Sequence, residues 1–274
     1  TRIKMPELPE VETSVQAIQE FANQNLESIE IYNPNLRWKV DTAAFQKLYG
    51  LKVNKIDRRA KYILLHIEQS QILIHLGMTG TLRIAEKKSN FYKKHDHIEF
   101  IFQNGKLIFN DPRRFGSMHL VTEPSTHFLL EKLGPEPLSK EFNGEYLFHK
   151  IKKSLSPIKN SLMNQQNVVG IGNIYASEIL FDASIRPTRK SKSLKKKECD
   201  EIAASAKKIL KHAIKAGGTT LQDFYQPDGN KGYFKIDLAV YDRADQKCKK
   251  CKKAIIKRIV QSQRATFYCC KCQV

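Results

Sequence analysis

Four cysteines near the end of the chain have the type and spacing to hold a metal. Cys248-x-x-Cys251 and Cys269-x-x-Cys272 stand seventeen residues apart. Each CxxC turn offers two thiolates, and four thiolates close a tetrahedron around Zn²⁺. Between the turns, "AIIKRIV" and "ATFYC" read as the strands of a hairpin too small to bury its own core, so metal binding would supply its folding energy. A redox dithiol pair is the other chemistry this spacing allows. Cys270, inside the second turn, and Cys199, far upstream, do not fit the four-ligand set. A second cluster lies in "MPELPEVET", Met5 to Thr13, where two prolines and three acids stand together. Proline presets a helical φ, and acids suit the positive end of the helix dipole. That accounts for one proline and one acid. "HDH" (His95 to His97) carries ligand-type side chains, but it opens a strand-like run and is read as part of that strand.

The bulk composition narrows the partners. Lys+Arg total 47 against Asp+Glu 28, a formal charge of +19, which points to a polyanion such as nucleic acid. The run "RPTRKSKSLKKK" (Arg186 to Lys197) carries no acid and reads as a solvated face or loop. Hydrophobic content of 41% suffices for real cores, and 274 residues can form one large domain or two ordinary ones. No apolar run approaches the roughly 18 residues that span a bilayer. The start shows no secretory signal, and a soluble, cytoplasmic protein is expected.

The elements that must position these residues follow from periodicity. Val11, Val15, Ile18, Phe21 and Ala22 recur at helical spacing, predicting a helix over about 7–25. Short strand-like runs follow: "LKVNKI", "YILLHI", "QILIHL", "TLRI", "HIEFIF" and "KLIF". Ile98, Phe100 and Phe102 alternate as in a half-buried strand. Several short strands behind one helix suggest a sandwich or barrel. "LGPEPLS" (Leu133 to Ser139) reads as a linker. Beyond it Ile202, Ala203, Ala206, Ile209, Leu210 and Ala213 mark an amphipathic helix.

Five motifs in order make a more specific pattern: "PELPEVE" from Pro6, "HLGMTG" from His75, "DPRRFG" from Asp111, "GIGNIYASE" from Gly170 and "QRATFYCCKC" from Gln263. With them the chain, from Met5 to its end, resembles the bacterial formamidopyrimidine-DNA glycosylase/endonuclease VIII family, and the purine-specific branch in particular. The resemblance implies an α+β, two-domain fold. Its N-terminal part would be a two-sheet β-sandwich with flanking helices. Its C-terminal part would be a helical helix–two-turn–helix domain with a four-cysteine zinc-finger β-hairpin. The expected boundaries are 1–131 for the catalytic sandwich, 132–139 for the linker, 140–240 for the helical domain with a lesion-covering loop at 217–234, and 241–274 for the finger.

The resemblance also implies activity, partner and roles. The partner is double-stranded DNA containing oxidised bases or abasic sites, the protein a monomer, and the cofactor one structural Zn²⁺ on Cys248, Cys251, Cys269 and Cys272. The activity is excision of 8-oxoguanine and formamidopyrimidines followed by β,δ-elimination at the abasic site. Pro6 is the Schiff-base nucleophile, Glu7 the proton donor and acceptor, and Glu10 a support for the N-terminal turn. Lys61 and Arg264 contact phosphates and donate protons in β- and δ-elimination respectively. Asn173 donates to a phosphate, and His95 contacts DNA. Met78, Arg113 and Phe115 fill the space left by the flipped nucleotide, with Arg113 facing the orphaned cytosine.

One feature departs from that pattern. Thr1 to Lys4 stand ahead of Met5 and Pro6, so the Pro6 nitrogen is an amide if the chain begins at Thr1, and an amide cannot form an iminium. Either translation begins at Met5 and its removal frees Pro6, or the extension is real and leaves a non-catalytic lesion binder. Two further alternatives are an endonuclease VIII-like enzyme for oxidised pyrimidines and a regulator using the finger. The last is the weakest, because phosphate contacts position a protein without reading bases.

Overall fold

A computed structural model of the chain describes residues 5–89, 92–217 and 237–274. The expected lesion-covering loop at 217–234 therefore lies outside the described residues, apart from Gly217. Residue contacts divide the chain into two compact units that change over between Glu131 and Lys132.

Among the described residues the first unit is built on eight strands. α1 (Leu8–Ala17) leads into a 3₁₀ turn at Gln19–Phe21 and then β1 (Leu26–Ile31). A short α2 (Thr42–Gln46) precedes β2 (Val53–Arg59), β3 (Tyr62–Ile67), β4 (Ser70–His75) and β5 (Thr81–Ala85). β6 (Asp96–Phe102), β7 (Gly105–Asn110) and β8 (Ser117–Val121) complete the set. They form two four-stranded antiparallel sheets, ordered β1-β6-β7-β5 and β2-β3-β4-β8. One apolar core takes side chains from both sheets, among them Phe100, Phe102 and Leu107 from one and Ile63, Leu65 and Ile74 from the other. Val11 and Val15 of α1 join it, with Ile18 just past the helix end, so burial follows the helical period read from the sequence. Each such side chain contributes about 1.5–3 kcal/mol.

Two expectations need correction. The first helix is shorter than 7–25: it tightens into the 3₁₀ turn, which lets Phe21 reach Phe102 at a ring separation of 4.6 Å. Asn23, in the left-handed region at φ 68°, then redirects the chain into β1. β6 is also more than half-buried. Asp96, His97 and Glu99 are buried as well as Ile98, Phe100 and Phe102, and Lys106 Nζ compensates Glu99 at 3.1 Å. β1, β8 and α2 were not visible in the sequence pattern.

The second unit holds α3 (Gly144–Ile151), α4 (Ile158–Met163), α5 (Asn173–Asp182), α6 (Lys196–Lys215) and a hairpin of β9 (Ile256–Gln261) and β10 (Arg264–Cys269). Ile174 through Phe181 are all buried, so α5 is the central helix of this unit. α6 packs Ile202, Ala203, Ala206, Leu210 and Ala213 inward, and its Lys-rich start is held by a two-pronged Arg189–Glu198 pair at 2.6 and 3.0 Å. The segment after Leu133 is tied down: Gly134 N–H donates to Gln165 O and Val169 N–H to Pro135 O. Among the described residues no helix is long and apolar enough to cross a membrane.

Candidate functional site

The N-terminal turn accounts for most of "PELPEVE". Glu7 is the N-cap of α1, Pro9 sits in its first turn, and Glu10 reaches back so that Oε2 accepts the Glu7 N–H at 2.9 Å. This capping box satisfies donors a helix start otherwise leaves orphaned. Glu7 and Glu10 are buried while Pro6, just ahead of the cap, is half-buried. The third acid, Glu12, accepts from Arg58 Nε at 2.8 Å, and Arg58 Nη1 donates to Ala60 O at 2.8 Å. Ala60 turns the chain at φ 55° and Lys61 follows it. The acids at 7, 10 and 12 thus fix both the α1 start and the turn that presents Lys61.

Beside that turn lies His75, which sequence reasoning passed over. Burial, then the positive charges of Lys61 and Arg37, push its pKa down to about 4. Its Nδ1 accepts the Gly77 N–H at 3.0 Å, so the neutral ring holds the start of the 77–80 loop.

That loop carries Met78, and the 111–116 loop carries Arg113 and Phe115. The structure brings the two together backbone to backbone. A Cβ on Gly77, at φ 64°, would lie 2.4 Å from Phe115 C, and one on Gly116 would lie 2.6 Å from the Phe109 ring. Only glycine permits this approach. The fully buried Asp111 carboxylate accepts from the Thr79 hydroxyl, from Gly116 N–H at 2.7 Å and from Arg113 N–H at 3.3 Å. Its backbone N–H donates to His95 O at 3.1 Å, and its carbonyl lies 2.8 Å from His97 Nε2. Phe115 is 42% exposed, with the Arg113 guanidinium 4.6 Å above its ring. Met78 and His95 are half-buried, His95 with φ 75°. The middle of "HDH" is occupied otherwise: buried Asp96 pairs with Arg83 at 2.6 Å.

In the second unit Asn173 is the first residue of α5, after the N-cap Gly172. Its amide is fixed on both sides. Oδ1 accepts from Lys159 Nζ at 2.5 Å, and Nδ2 donates to Ala265 O at 3.0 Å. Lys159 is 1% exposed and donates also to Ala265 O at 3.1 Å and Thr266 Oγ1 at 2.7 Å. Arg264, exposed, follows the hairpin turn made by Ser262 and Gln263, both with positive φ. One buried ammonium thus joins the helix start bearing Asn173 to the hairpin bearing Arg264. Nothing in the sequence set Lys159 apart from the other lysines. Glu178, which closes "GIGNIYASE", was also missed. Its carboxylate accepts N–H bonds from Ala239, Val240 and Tyr241 at 2.8–2.9 Å, anchoring the chain that leads into the cysteine turns.

The four cysteines come together as the spacing predicted, with all their sulfurs within 4.8 Å of one another. Cys248 and Cys272 are 3.9 Å apart, Cys251 and Cys269 3.8 Å. Sulfurs tetrahedral about an ion with 2.3 Å bonds lie about 3.8 Å apart, so the set fits a tetrahedral metal. The Ala254 and Lys253 N–H groups at Cys251 push its thiol down to about 6. Cys199 and Cys270 stand outside the group. The finger is less isolated than its size suggested, because Phe181 of α5 packs into its small core with Val240, Ile256 and Phe267.

Comparison with known proteins agrees with this geometry. The family model for the formamidopyrimidine-DNA glycosylase N-terminal domain matches residues 5–118, and that for the formamidopyrimidine-DNA glycosylase H2TH domain matches 133–225. The formamidopyrimidine-DNA glycosylase of Hydrogenovibrio crunogenus is 48% identical over 98% of this chain and 96% of the relative. That of Salmonella arizonae is 46% identical over 98% of this chain and the whole relative. A Lactococcus lactis FPG mutant in complex with a Fapy-dG containing DNA superposes with TM-score 0.89 at 33% identity, covering 98% of this chain and 99% of that one. The Lactococcus lactis enzyme non-covalently bound to an AP site containing DNA gives 0.86 at 33% identity, over 97% and 99%. This chain belongs to the formamidopyrimidine-DNA glycosylase family.

Proposed function

We propose that this protein is a base-excision repair glycosylase/AP lyase that removes oxidised purines from double-stranded DNA and cuts the strand at the resulting abasic site. The observation that carries the reading is the N-terminal turn. Within a chain similar to named glycosylases over 98% of its length, Pro6 stands immediately ahead of a buried, helix-capping Glu7.

The chemistry follows from what each group can do. A free Pro6 is a secondary amine with a pKa of about 8, so part of it is neutral at cellular pH. Its lone pair attacks C1′ of the damaged nucleotide and the base departs with the electrons of the glycosidic bond. The Pro6 nitrogen then loses its proton, the C1′–O4′ bond breaks with its electrons going to O4′, and the nitrogen lone pair closes the iminium ion. Glu7 donates a proton as the sugar ring opens and moves protons in the steps that follow. The iminium draws electrons from C2′, so a proton there is lost and the 3′ phosphate leaves. A second elimination releases the 5′ phosphate. Lys61 contacts a phosphate beside the lesion and supplies a proton in β-elimination, and Arg264 does so in δ-elimination. Asn173 holds a further phosphate, and His95 adds a DNA contact. Met78, Arg113 and Phe115 occupy the gap left by the flipped base. Glu10 keeps the N-terminal turn in place.

Zn²⁺ is the metal we assign to Cys248, Cys251, Cys269 and Cys272. Bound there it supplies folding energy to the hairpin that carries Arg264, and no chemistry. The enzyme acts as a cytoplasmic monomer on chromosomal DNA.

Iminium formation needs Pro6 without Met5 on its nitrogen. The second reading, a lesion binder without catalysis, is favoured by Thr1 to Met5 if they persist. Borohydride trapping on a duplex with 8-oxoguanine opposite cytosine separates the two. Peptide mapping of protein expressed from its native gene should find the adduct on Pro6 with residues 1–5 gone. Binding without an adduct, by protein that retains those residues, would sink the catalytic reading. A lesion panel including oxidised pyrimidines tests the endonuclease VIII-like alternative.

A further inference from the structure

We propose that Thr79 and Asp111 are positioning residues that lock the Met78 loop and the Arg113–Phe115 loop into one wedge, and so set the preference for the base opposite the lesion. The inference rests on the reading of those three side chains given above.

The geometry carries it in three ways. First, the Thr79 hydroxyl bridges the loops: it donates to Asp111 Oδ1 and accepts the Arg113 N–H at 3.3 Å. The backbone that aims Arg113 is thus bonded directly to the residue after Met78. Second, Asp111 divides its oxygens between the two ends of its own loop. Oδ1 takes Arg113 N–H and Oδ2 takes Gly116 N–H, so Arg113, Arg114 and Phe115 are spanned by a single buried carboxylate. Arg114 within that span has φ 55°, a conformation a non-glycine residue keeps only when its surroundings hold it. Third, Gly77 and Gly116 let the backbones touch, and Arg37 N–H caps the stack by donating to Gly116 O at 3.1 Å. Neither loop can shift without breaking a hydrogen bond to a buried carboxylate, which costs more than an exposed one.

A guanidinium reads a base edge only when its approach is fixed to within a few tenths of an ångström. The Thr79–Asp111 latch supplies that fixity for Arg113, while leaving Arg113 and Phe115 exposed and Met78 half-buried. Thr79 touches neither the reacting atoms nor the opposite base in this assignment; it acts through the loop.

Thr79→Val keeps the side-chain shape and removes the hydroxyl, while Thr79→Ser keeps the hydroxyl. Two readouts decide. The first is the ratio of kcat/KM on 8-oxoguanine opposite cytosine to that opposite adenine. The second uses an uncleavable tetrahydrofuran site opposite cytosine with 2-aminopurine beside that cytosine, whose fluorescence rises when the wedge unstacks it. Thr79→Val should lower the ratio roughly tenfold, the scale of one lost buried charge-assisted hydrogen bond, and diminish the fluorescence rise. Thr79→Ser should restore both. An unchanged ratio and rise in Thr79→Val would overturn the proposal, as would equal losses in Val and Ser, which would assign the effect to packing. If the wild type binds the tetrahydrofuran duplex but cleaves no lesion, the glycosylase reading fails, and the fluorescence comparison still decides the latch. A wild type that unstacks nothing refutes it.

Discussion

The two units solve the same problem with opposite charges. In the first, a buried anion, Asp111, collects an O–H and two N–H donors and so ties together the loops bearing Met78, Arg113 and Phe115. In the second, a buried cation, Lys159, collects Asn173 Oδ1, Ala265 O and Thr266 Oγ1, and so ties the start of α5 to the hairpin bearing Arg264. Each ion is enclosed and each has neutral dipoles among its partners, which offset part of the cost of burying a charge. The difference lies in what is presented. Around the anion the exposed groups are apolar or ring-stacked and suited to a base stack. Around the cation they are an amide and a guanidinium, suited to phosphate. The first arrangement stands on a sheet core, whereas the second also leans on a metal-capable cluster.

That last asymmetry gives the largest expected effect. Stripping the metal with a chelator should remove on the order of 10 kcal/mol from the finger, unfold its hairpin and abolish DNA binding, while leaving the sandwich intact. Hydrogen exchange read by unit checks this: protection lost equally in both would break the comparison.

The next test belongs to the first unit. His75 stays neutral when folded because burial, Lys61 and Arg37 hold its pKa at about 4, against an unfolded value of about 6.5. Between those values the unfolded chain takes up a proton that the folded one does not. Stability is therefore full above about pH 6.5 and is lost as pH falls toward 4, by about 3 kcal/mol. Asp111, whose charge favours the protonated ring, limits the loss. Denaturant titrations across this range should show the slope, and His75→Phe should flatten it.

For the second unit, Lys159→Met takes the ammonium from Asn173 Oδ1 and Thr266 Oγ1 and one of two donors from Ala265 O, and should cost about 3 kcal/mol. It should also weaken DNA binding through Asn173, seen as a lower affinity for every duplex at a fixed salt concentration, with the salt dependence nearly unchanged because the Asn173 amide is neutral. A variant that loses stability but keeps the wild-type affinity for DNA would show that Lys159 supports the fold without aiming Asn173.

How much of this was legible beforehand depends on the range of the interaction. β3, β4 and β7 lie within a residue or two of the runs read from the sequence, because their side chains alternate or run apolar locally. The cysteine set was legible because ligand spacing is itself local. β1 was not, since "LESIEI" mixes acids with its apolar residues and owes its strand to pairing with β6. Lys159 was invisible for a related reason: its partners are fourteen and over a hundred residues away, and nothing near it in sequence distinguishes a buried lysine from a solvated one. Asp111 and Thr79 stood inside quoted motifs but had no role, because a latch between two loops exists only once the loops meet.

The smallest expected effects sharpen the comparison most. Arg113→Ala and Arg264→Ala each delete one exposed guanidinium, so neither should change stability by more than about 0.5 kcal/mol. Their consequences on DNA should differ in kind. In the proposed assignment Arg113 faces the opposite base, so its loss should cost about 1–3 kcal/mol at cytosine and little at other bases, collapsing the preference. Arg264 is assigned to a phosphate, so its loss should weaken every duplex alike and lower the salt slope by about 1. Affinities for a tetrahydrofuran duplex with each of the four opposite bases, at several salt concentrations, give both quantities from one set of titrations. If Arg264→Ala changed the base preference while Arg113→Ala changed the salt slope, the division of labour between the buried anion and the buried cation would be reversed.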